Sequence, residues 1–223
     1  MDILHRHELF EMEILDGLHR SGALAPLVFG GGSMLRLCHE LNRFSVDLDF
    51  WIITPIREND YFSKTRQLLE KSYDVTDAEI KYHTILFEVR STRYPRRLKL
   101  EIRREKGDCD YEEKIAFSRF GTRQVLVKAH TLEQTMQNKI SAFLDRAEVR
   151  DCFDIEFLLR RGVELPSLDP ASMRKFQRQL DGLTEADYKV KLGSILESDV
   201  REYYVSRRFA YLREKLRELT VKS

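Results

Sequence analysis

The chain has 223 residues, 42% of them apolar, which is enough for one large packed domain or two small ones and excludes a disordered polypeptide. A formal net charge of +1 makes the global balance uninformative, so any contact with a polyanion has to come from local clustering. The cysteines, Cys38, Cys109 and Cys152, are odd in number and lack metal-site spacing, and no apolar run is long enough to span a bilayer; a disulfide scaffold and a membrane protein are excluded, no secretory leader is recognisable, and a cytoplasmic setting is expected.

Residues 2–20 have helical periodicity, with Ile3, Leu4, Phe10, Ile14, Leu15 and Leu18 roughly on one side and Ser21-Gly22 ending the helix. His5, His7 and His19 read as surface or packing residues rather than ligands. A short apolar strand follows at 27–29, then a Gly30-Gly31-Gly32-Ser33 turn, a helix over about 34–41, and a second strand through Asp47-Leu48-Asp49. Side chains alternate along a strand, so Asp47 and Asp49 project to one side and Val46, Leu48 and Phe50 to the other. Neighbouring carboxylates resist joint ionisation, and a divalent cation removes that cost; hard oxygen ligands suit Mg2+. Glycines let backbone approach a ligand closely, and the first turn of the next helix offers unpaired N–H groups to an anion. Each piece also has an ordinary reading: a Gly-rich turn as a tight connection, and paired acids as a solvated face. Neither the Walker pattern nor G-x-G-x-x-G spacing is present. The acids nevertheless interrupt an otherwise apolar strand, DLDFWII, where they have no structural reason to be.

A helix is expected over 61–73, then strands over 83–90 and 96–103. Between Arg90 and Lys106 eight Lys/Arg (90, 93, 96, 97, 99, 103, 104, 106) face two Glu (101, 105), a local excess of 8 − 2 = +6, which suits either RNA or a solvated strand face. In RLKLEIRR, the apolar Leu98, Leu100 and Ile102 put Lys99, Glu101 and Arg103 on the opposite face, where a lone Glu between cations reads by itself as an ion pair. Two strands, KIAFSRF and RQVLVKA, join at Gly121-Thr122, and a helix opens at a capping box beginning with Thr131, which places a domain boundary near His130. The stripe of Ile140, Phe143, Leu144 and Ala147 is out of phase with Phe153, Phe157 and Leu158, which predicts a break near 148–150. Lys139, Arg146, Arg150 and Asp154 share roughly one helical face with Asp151 beside it; spacing alone makes Arg150 and Asp154 an exposed i, i+4 pair. After a turn at Pro166 to Pro170, helices are expected over 171–180, 185–196 and 200–219, the last rich in Arg and Tyr and fit for either amphipathic packing or a nucleic-acid groove.

The order GGGS, helix, RFSVDLDF resembles the signature of the nucleotidyltransferase superfamily with a polymerase-beta-like core, and RFSVDLDF is most similar to the AbiEii/AbiGii-type toxins. The resemblance extends to about Arg161 and more loosely beyond. It implies an α/β protein: a mixed-sheet nucleotidyltransferase core flanked by helices (1–130), then a mainly helical domain (131–223) that completes the nucleotide cleft. It further implies that Asp47 and Asp49 hold two Mg2+ ions, with Glu101 as the third carboxylate, for the second metal or the proton of the attacking hydroxyl. Gly31, Gly32 and Ser33 would bind phosphates and Lys139 the triphosphate, and the R-D-x-x-D residues Arg150, Asp151 and Asp154 would complete or brace the nucleotide site. The implied reaction moves a nucleoside monophosphate from an NTP to an acceptor hydroxyl, foremost an RNA or tRNA 3′ end. The implied setting is a bacterial toxin-antitoxin or abortive-infection system with a cognate antitoxin encoded nearby. A same-fold transferase acting on a protein side chain or small molecule, and a catalytically dead binding module, are the competing expectations.

Overall fold

The computed structural model describes residues 2–104 and 109–222, so Glu105 and Lys106 of the basic block lie outside the described residues. The chain divides into two compact units, residues 1–131 and 132–223. In the first, helix α1 (Ile3–Arg20) leads into β1 (Leu27–Gly30), α2 (Gly31–His39), β2 (Asp47–Ile52), α3 (Glu58–Glu70), β3 (Asp74–Ile80), β4 (Thr84–Arg90), β5 (Leu98–Arg103), β6 (Tyr111–Phe117) and β7 (Gln124–His130). Among the described residues these strands form one seven-stranded mixed sheet in the order β3-β4-β5-β2-β1-β7-β6. The β2–β5 and β1–β7 pairs are parallel and the others antiparallel.

One face of this sheet is apolar and fixes the register. Leu48, Phe50 and Ile52 of β2 alternate inward beside Leu98, Leu100 and Ile102 of β5, all 2% exposed or less. The three β2 side chains alone contribute roughly 5–9 kcal/mol by burial. A one-residue slip would forfeit that, so Asp47, Asp49 and Trp51 are held on the other face. Helix α1 buries Phe10, Ile14, Leu15 and Leu18 in the core, whereas Ile3 is 56% exposed and lies off the expected stripe.

Several sequence expectations shift. The glycines are not a separate turn: Gly30 ends β1 and Gly31 opens α2, so the helix starts three residues earlier than expected. The segment Asp74–Ile80 was not expected as a strand; it is the sheet's edge, and its outward Asp74, Asp77 and Glu79 mask the alternation of Val75, Ala78 and Ile80.

In the second unit, α4 (Leu132–Arg146) and α5 (Val149–Arg160) are separated at Ala147, whose φ of 54° is left-handed and unfavourable for a residue with a Cβ. The expected break is thus present, one residue early. Asp169 caps α6 (Pro170–Asp181), accepting from the Ala171 and Ser172 N–H groups. A π-helical segment, Asp187–Leu192, stands within the expected α-helix over 185–196. The expected last helix is two, α7 (Ser198–Arg207) and α8 (Ala210–Lys222), because Arg208 and Phe209 both take positive φ while Phe209 is fully buried. Buried Glu156 accepts from the Leu212 N–H in the first turn of α8, which satisfies one of that helix's orphan donors. Tyr203 and Tyr211 are engaged by Arg160, whose guanidinium lies 5.5 and 4.8 Å from their rings, so packing accounts for these tyrosines. No helix among the described residues is long and apolar enough to cross a membrane.

Candidate active site

The register of three strands assembles the acidic cluster. Asp49 lies opposite Glu101 of β5 on one side and Gly30 of β1 on the other, and Asp47 lies opposite Lys99. Partners in register project to one face, so Asp47, Asp49 and Glu101, all partly exposed, stand together on the face away from the apolar core. Among the described residues no three His, Cys, Asp or Glu side chains converge closely enough to enclose an ion. Adjacent carboxylates nevertheless suit Mg2+, which takes one or two from protein and completes its octahedron with water and phosphate oxygens.

The start of α2 lies directly against these acids. A Cβ on Gly31 would fall 2.2 Å from Asp49 Oδ2, and φ there is +72°, so any side chain would both strain the backbone and displace the carboxylate. A Cβ on Gly32 would meet Arg43 Nη2 at 2.5 Å and Ser45 Oγ at 2.8 Å. Arg43 and Ser45, just ahead of the D-x-D, therefore pack onto the start of α2, and this crowding is what favours glycine there. Gly30 offers no side-chain cap, so the first N–H groups of α2 present the helix's positive end with no capping side chain.

Ser33 is used differently from expectation. Its side chain is fully buried, and its hydroxyl bonds both Glu11 Oε1, at 3.0 Å, and the Asp47 carbonyl. A carbonyl only accepts and a hydroxyl has one hydrogen, so Ser33 donates to Asp47 and Glu11 must donate to Ser33. Glu11 is therefore a neutral carboxylic acid. Burial and the neighbouring Glu8 charge push it well above its ordinary range in agreement with this. The chain Glu11, Ser33, Asp47 ties the start of α2 to the start of β2, and any phosphate contact from Ser33 falls to its backbone N–H. One turn away, Glu8 forms a buried ion pair with Arg36 of α2 at 2.8 Å and accepts from Ser118 at 2.6 Å.

Glu8 and Glu11 escaped the sequence reading. The signal was available: Leu4, Glu8, Glu11, Leu15 and Leu18 follow a 4-3-4-3 spacing, which puts two acids on a core-facing stripe. A raised folded-state pKa predicts a pH dependence. Below the ordinary value of 4.5 both states keep the proton; as pH rises, the unfolded chain ionises first and stability is lost up to the folded value. Glu11→Gln keeps a donor and removes this slope, so its gain in melting temperature over wild type is expected to be larger at pH 8 than at pH 5. Equal differences in thermal melts at the two pH values would mean that Glu11 is ionised when folded.

Two residues along β2 from Asp49, Trp51 lies opposite Arg103, whose guanidinium sits 5.3 Å from the indole ring. His130 packs against the same indole at 4.5 Å, and burial lowers its pKa to about 4, so it is neutral near pH 7.

In the second unit, the helix break turns the R-D-x-x-D segment back onto α4. Lys139 Nζ lies 2.6 Å from Asp154 Oδ2 and 3.3 Å from Asp151 Oδ1, and Arg146 grips Asp151 with two bonds of 2.9 Å. Both aspartates are fully buried and Lys139 is 8% exposed. Asp154 thus pairs with Lys139 across the break, and the simple exposed pair with Arg150 is not what forms; Arg150 itself is partly exposed. The two acids brace a cation and are themselves shut off from solvent.

A family model described as nucleotidyl transferase AbiEii toxin, type IV toxin-antitoxin system, matches residues 13–216. A search of curated proteins finds no match. Among solved structures, JHP933 of Helicobacter pylori is similar over 96% of this chain and 95% of its own, with 22% identity and a TM-score of 0.58. A protein of H. pylori described as a putative nucleotidyltransferase is similar over 95% and 96%, with 23% identity and a TM-score of 0.59. MenT4, a nucleotidyltransferase toxin of Mycobacterium tuberculosis, is similar over 96% of this chain and 86% of its own, with 17% identity and a TM-score of 0.58. At these identities the solved structures establish the fold, and the family match, spanning most of the sequence, establishes the kind of enzyme: the chain belongs to the AbiEii nucleotidyltransferase toxin family.

Proposed function

We propose that this toxin transfers a nucleoside monophosphate from an NTP to the 3′-hydroxyl of an RNA, with tRNA foremost, in a Mg2+-dependent reaction in the cytoplasm, and that an antitoxin encoded nearby counteracts it. The reading is carried by one observation, the placement of Asp49 in register with Glu101 and against the Gly31 backbone, which puts acids and helix start within one side chain's reach. Asp47, Asp49 and Glu101 would hold two Mg2+ ions, which when bound neutralise charge on the attacking and leaving oxygens.

The chain's own residues supply the remainder. The N–H groups of Gly31, Gly32 and Ser33 bind the β and γ phosphates at the positive end of α2. The acceptor oxygen forms a bond to the α-phosphorus, the bond from that phosphorus to its bridging oxygen breaks, and pyrophosphate leaves with the electron pair. Glu101 receives the hydroxyl proton. Lys139, oriented by Asp151 and Asp154, gives the triphosphate a cation, and Arg150 of the same motif contributes to the nucleotide site.

The test is incubation of the purified protein with Mg2+, total RNA and each α-labelled NTP in turn, beside an Asp47→Ala/Asp49→Ala control. Label entering RNA from one preferred NTP, and absent in the control, is the expected result. Label entering only protein or a small molecule would replace RNA as the acceptor, and no label from any NTP would sink the transferase reading.

A further inference from the structure

We propose that Lys99 and Arg103, on either side of Glu101, hold the 3′-terminal nucleotide of a single-stranded nucleic-acid acceptor. The proposal rests on the RNA-acceptor reading above and adds the surface that holds the strand.

The structure sorts the basic block between Arg90 and Lys106 into cations with different employment. Arg93 is paired to Glu13, whose carboxylate also accepts from Tyr73 and Tyr94. Arg97 is paired to Glu88 at 2.8 Å, and Arg104 to Glu58 at 2.8 Å while also donating to the Lys81 and Tyr82 carbonyls. These three arginines hold α1, β4 and α3 to the sheet and have little charge left to offer. Arg90 lies opposite Asp74 at the far end of β4, and Arg96 precedes β5, so neither is on the strand face that carries Glu101.

Lys99 and Arg103 remain. Both are exposed, and neither forms an ion pair with a carboxylate of the described residues. Glu88 is the register neighbour of Lys99 on β4, but Thr76 and Arg97 already occupy its carboxylate, at 2.7 and 2.8 Å. On β5 the two cations bracket Glu101 at i−2 and i+2, on the face that carries Asp47 and Asp49. A strand rises about 3.3 Å per residue, so the two charges are about 13 Å apart with the acid midway. That span admits one terminal nucleotide, with its phosphate toward one cation and its base toward the other.

The charge logic selects the ligand. Exposed cations on either side of a partly exposed carboxylate suit an acceptor that carries a phosphate close to its hydroxyl. A 3′-terminal nucleotide laid between them sets its 5′ phosphate on Lys99 and its base on Arg103 and leaves Glu101 facing the terminal hydroxyl. A small uncharged acceptor would use neither, and the Arg103 guanidinium, lying over the Trp51 ring, offers a planar cation on which a base can stack.

The chain's single tryptophan is Trp51, which makes binding directly readable. A single-stranded RNA oligonucleotide with a free 3′-hydroxyl is titrated into the full-length protein while tryptophan emission is followed, and its KM as acceptor is measured with the preferred NTP. Emission is expected to change on saturation. Lys99→Ala and Arg103→Ala are each expected to raise the acceptor KM about tenfold, with kcat and the NTP KM within about twofold, and Lys99→Ala also to flatten the dependence of log KM on log salt by about 0.7. Arg96→Ala, which removes an equal charge elsewhere in the block, should change none of these. Labelled RNA with an acceptor KM unchanged in both variants would overturn the proposal and leave the RNA reading standing, as would a loss confined to kcat. An oligonucleotide that neither alters emission nor accepts label would overturn both.

Discussion

Asp49→Ala is expected to lower nucleotidyl transfer by about 10³-fold or more while leaving the melting temperature within a few degrees of wild type or above it. A factor of 10³ corresponds to about 4 kcal/mol of transition-state stabilisation, the order expected when one oxygen ligand is taken from a site built to neutralise phosphoryl charge. The small effect on stability follows from the position. Asp49 is only partly buried, on the face away from the apolar core, so its removal opens no cavity in that core. The apolar partners that hold β2, Leu48, Phe50 and Ile52, are untouched. Side-by-side assays of transfer and thermal unfolding decide the matter. A variant that melts well below wild type but still transfers nucleotide would make Asp49 a structural acid, with Gly31 shaped to accommodate it for packing alone.

What was legible in the sequence follows the strength of local signals. The alternation DLDFWII and LKLEIR fixed which face each acid takes, because a slip by one residue would expose an entire apolar set. That Asp49 pairs with Glu101 in particular was a matter of parallel register between strands about fifty residues apart, and no local pattern encodes it. The buried polar layer was less legible still. Glu8, Glu11, Ser33 and Arg36 are each unremarkable in sequence, and only the packing of α1 against α2 turns them into an ion pair and a neutral relay. Edge strand β3 was hidden by its outward acids, a common device against unwanted pairing. The breaks at Ala147 and at Arg208-Phe209 both use non-glycine residues in left-handed conformations. The first announced itself through the phase of the hydrophobic stripe; the second did not, since α7 carries no strong apolar stripe whose phase can shift.

Lys139 is where structure and chemistry must be separated, because its ammonium serves two fully buried aspartates whatever else it does. Lys139→Met is expected to cost about 3–5 kcal/mol, since it takes from buried Asp154 the cation at 2.6 Å. A fall in NTP affinity in that variant would therefore prove little by itself. Replacing both partners, Lys139→Met with Asp154→Leu, removes the buried carboxylate together with its cation and should recover most of the lost stability, as apolar substitutes for buried pairs often do. Asp151 keeps its two bonds from Arg146 throughout and needs no further compensation. The double variant thus isolates the lysine's contribution to the nucleotide. If Lys139 holds the triphosphate, the double variant should melt near wild type yet bind Mg-NTP at least tenfold more weakly, a loss of about 1.4 kcal/mol or more. If NTP affinity returns together with stability, the ammonium serves only to neutralise Asp151 and Asp154, and Lys139 drops out of the proposed nucleotide site.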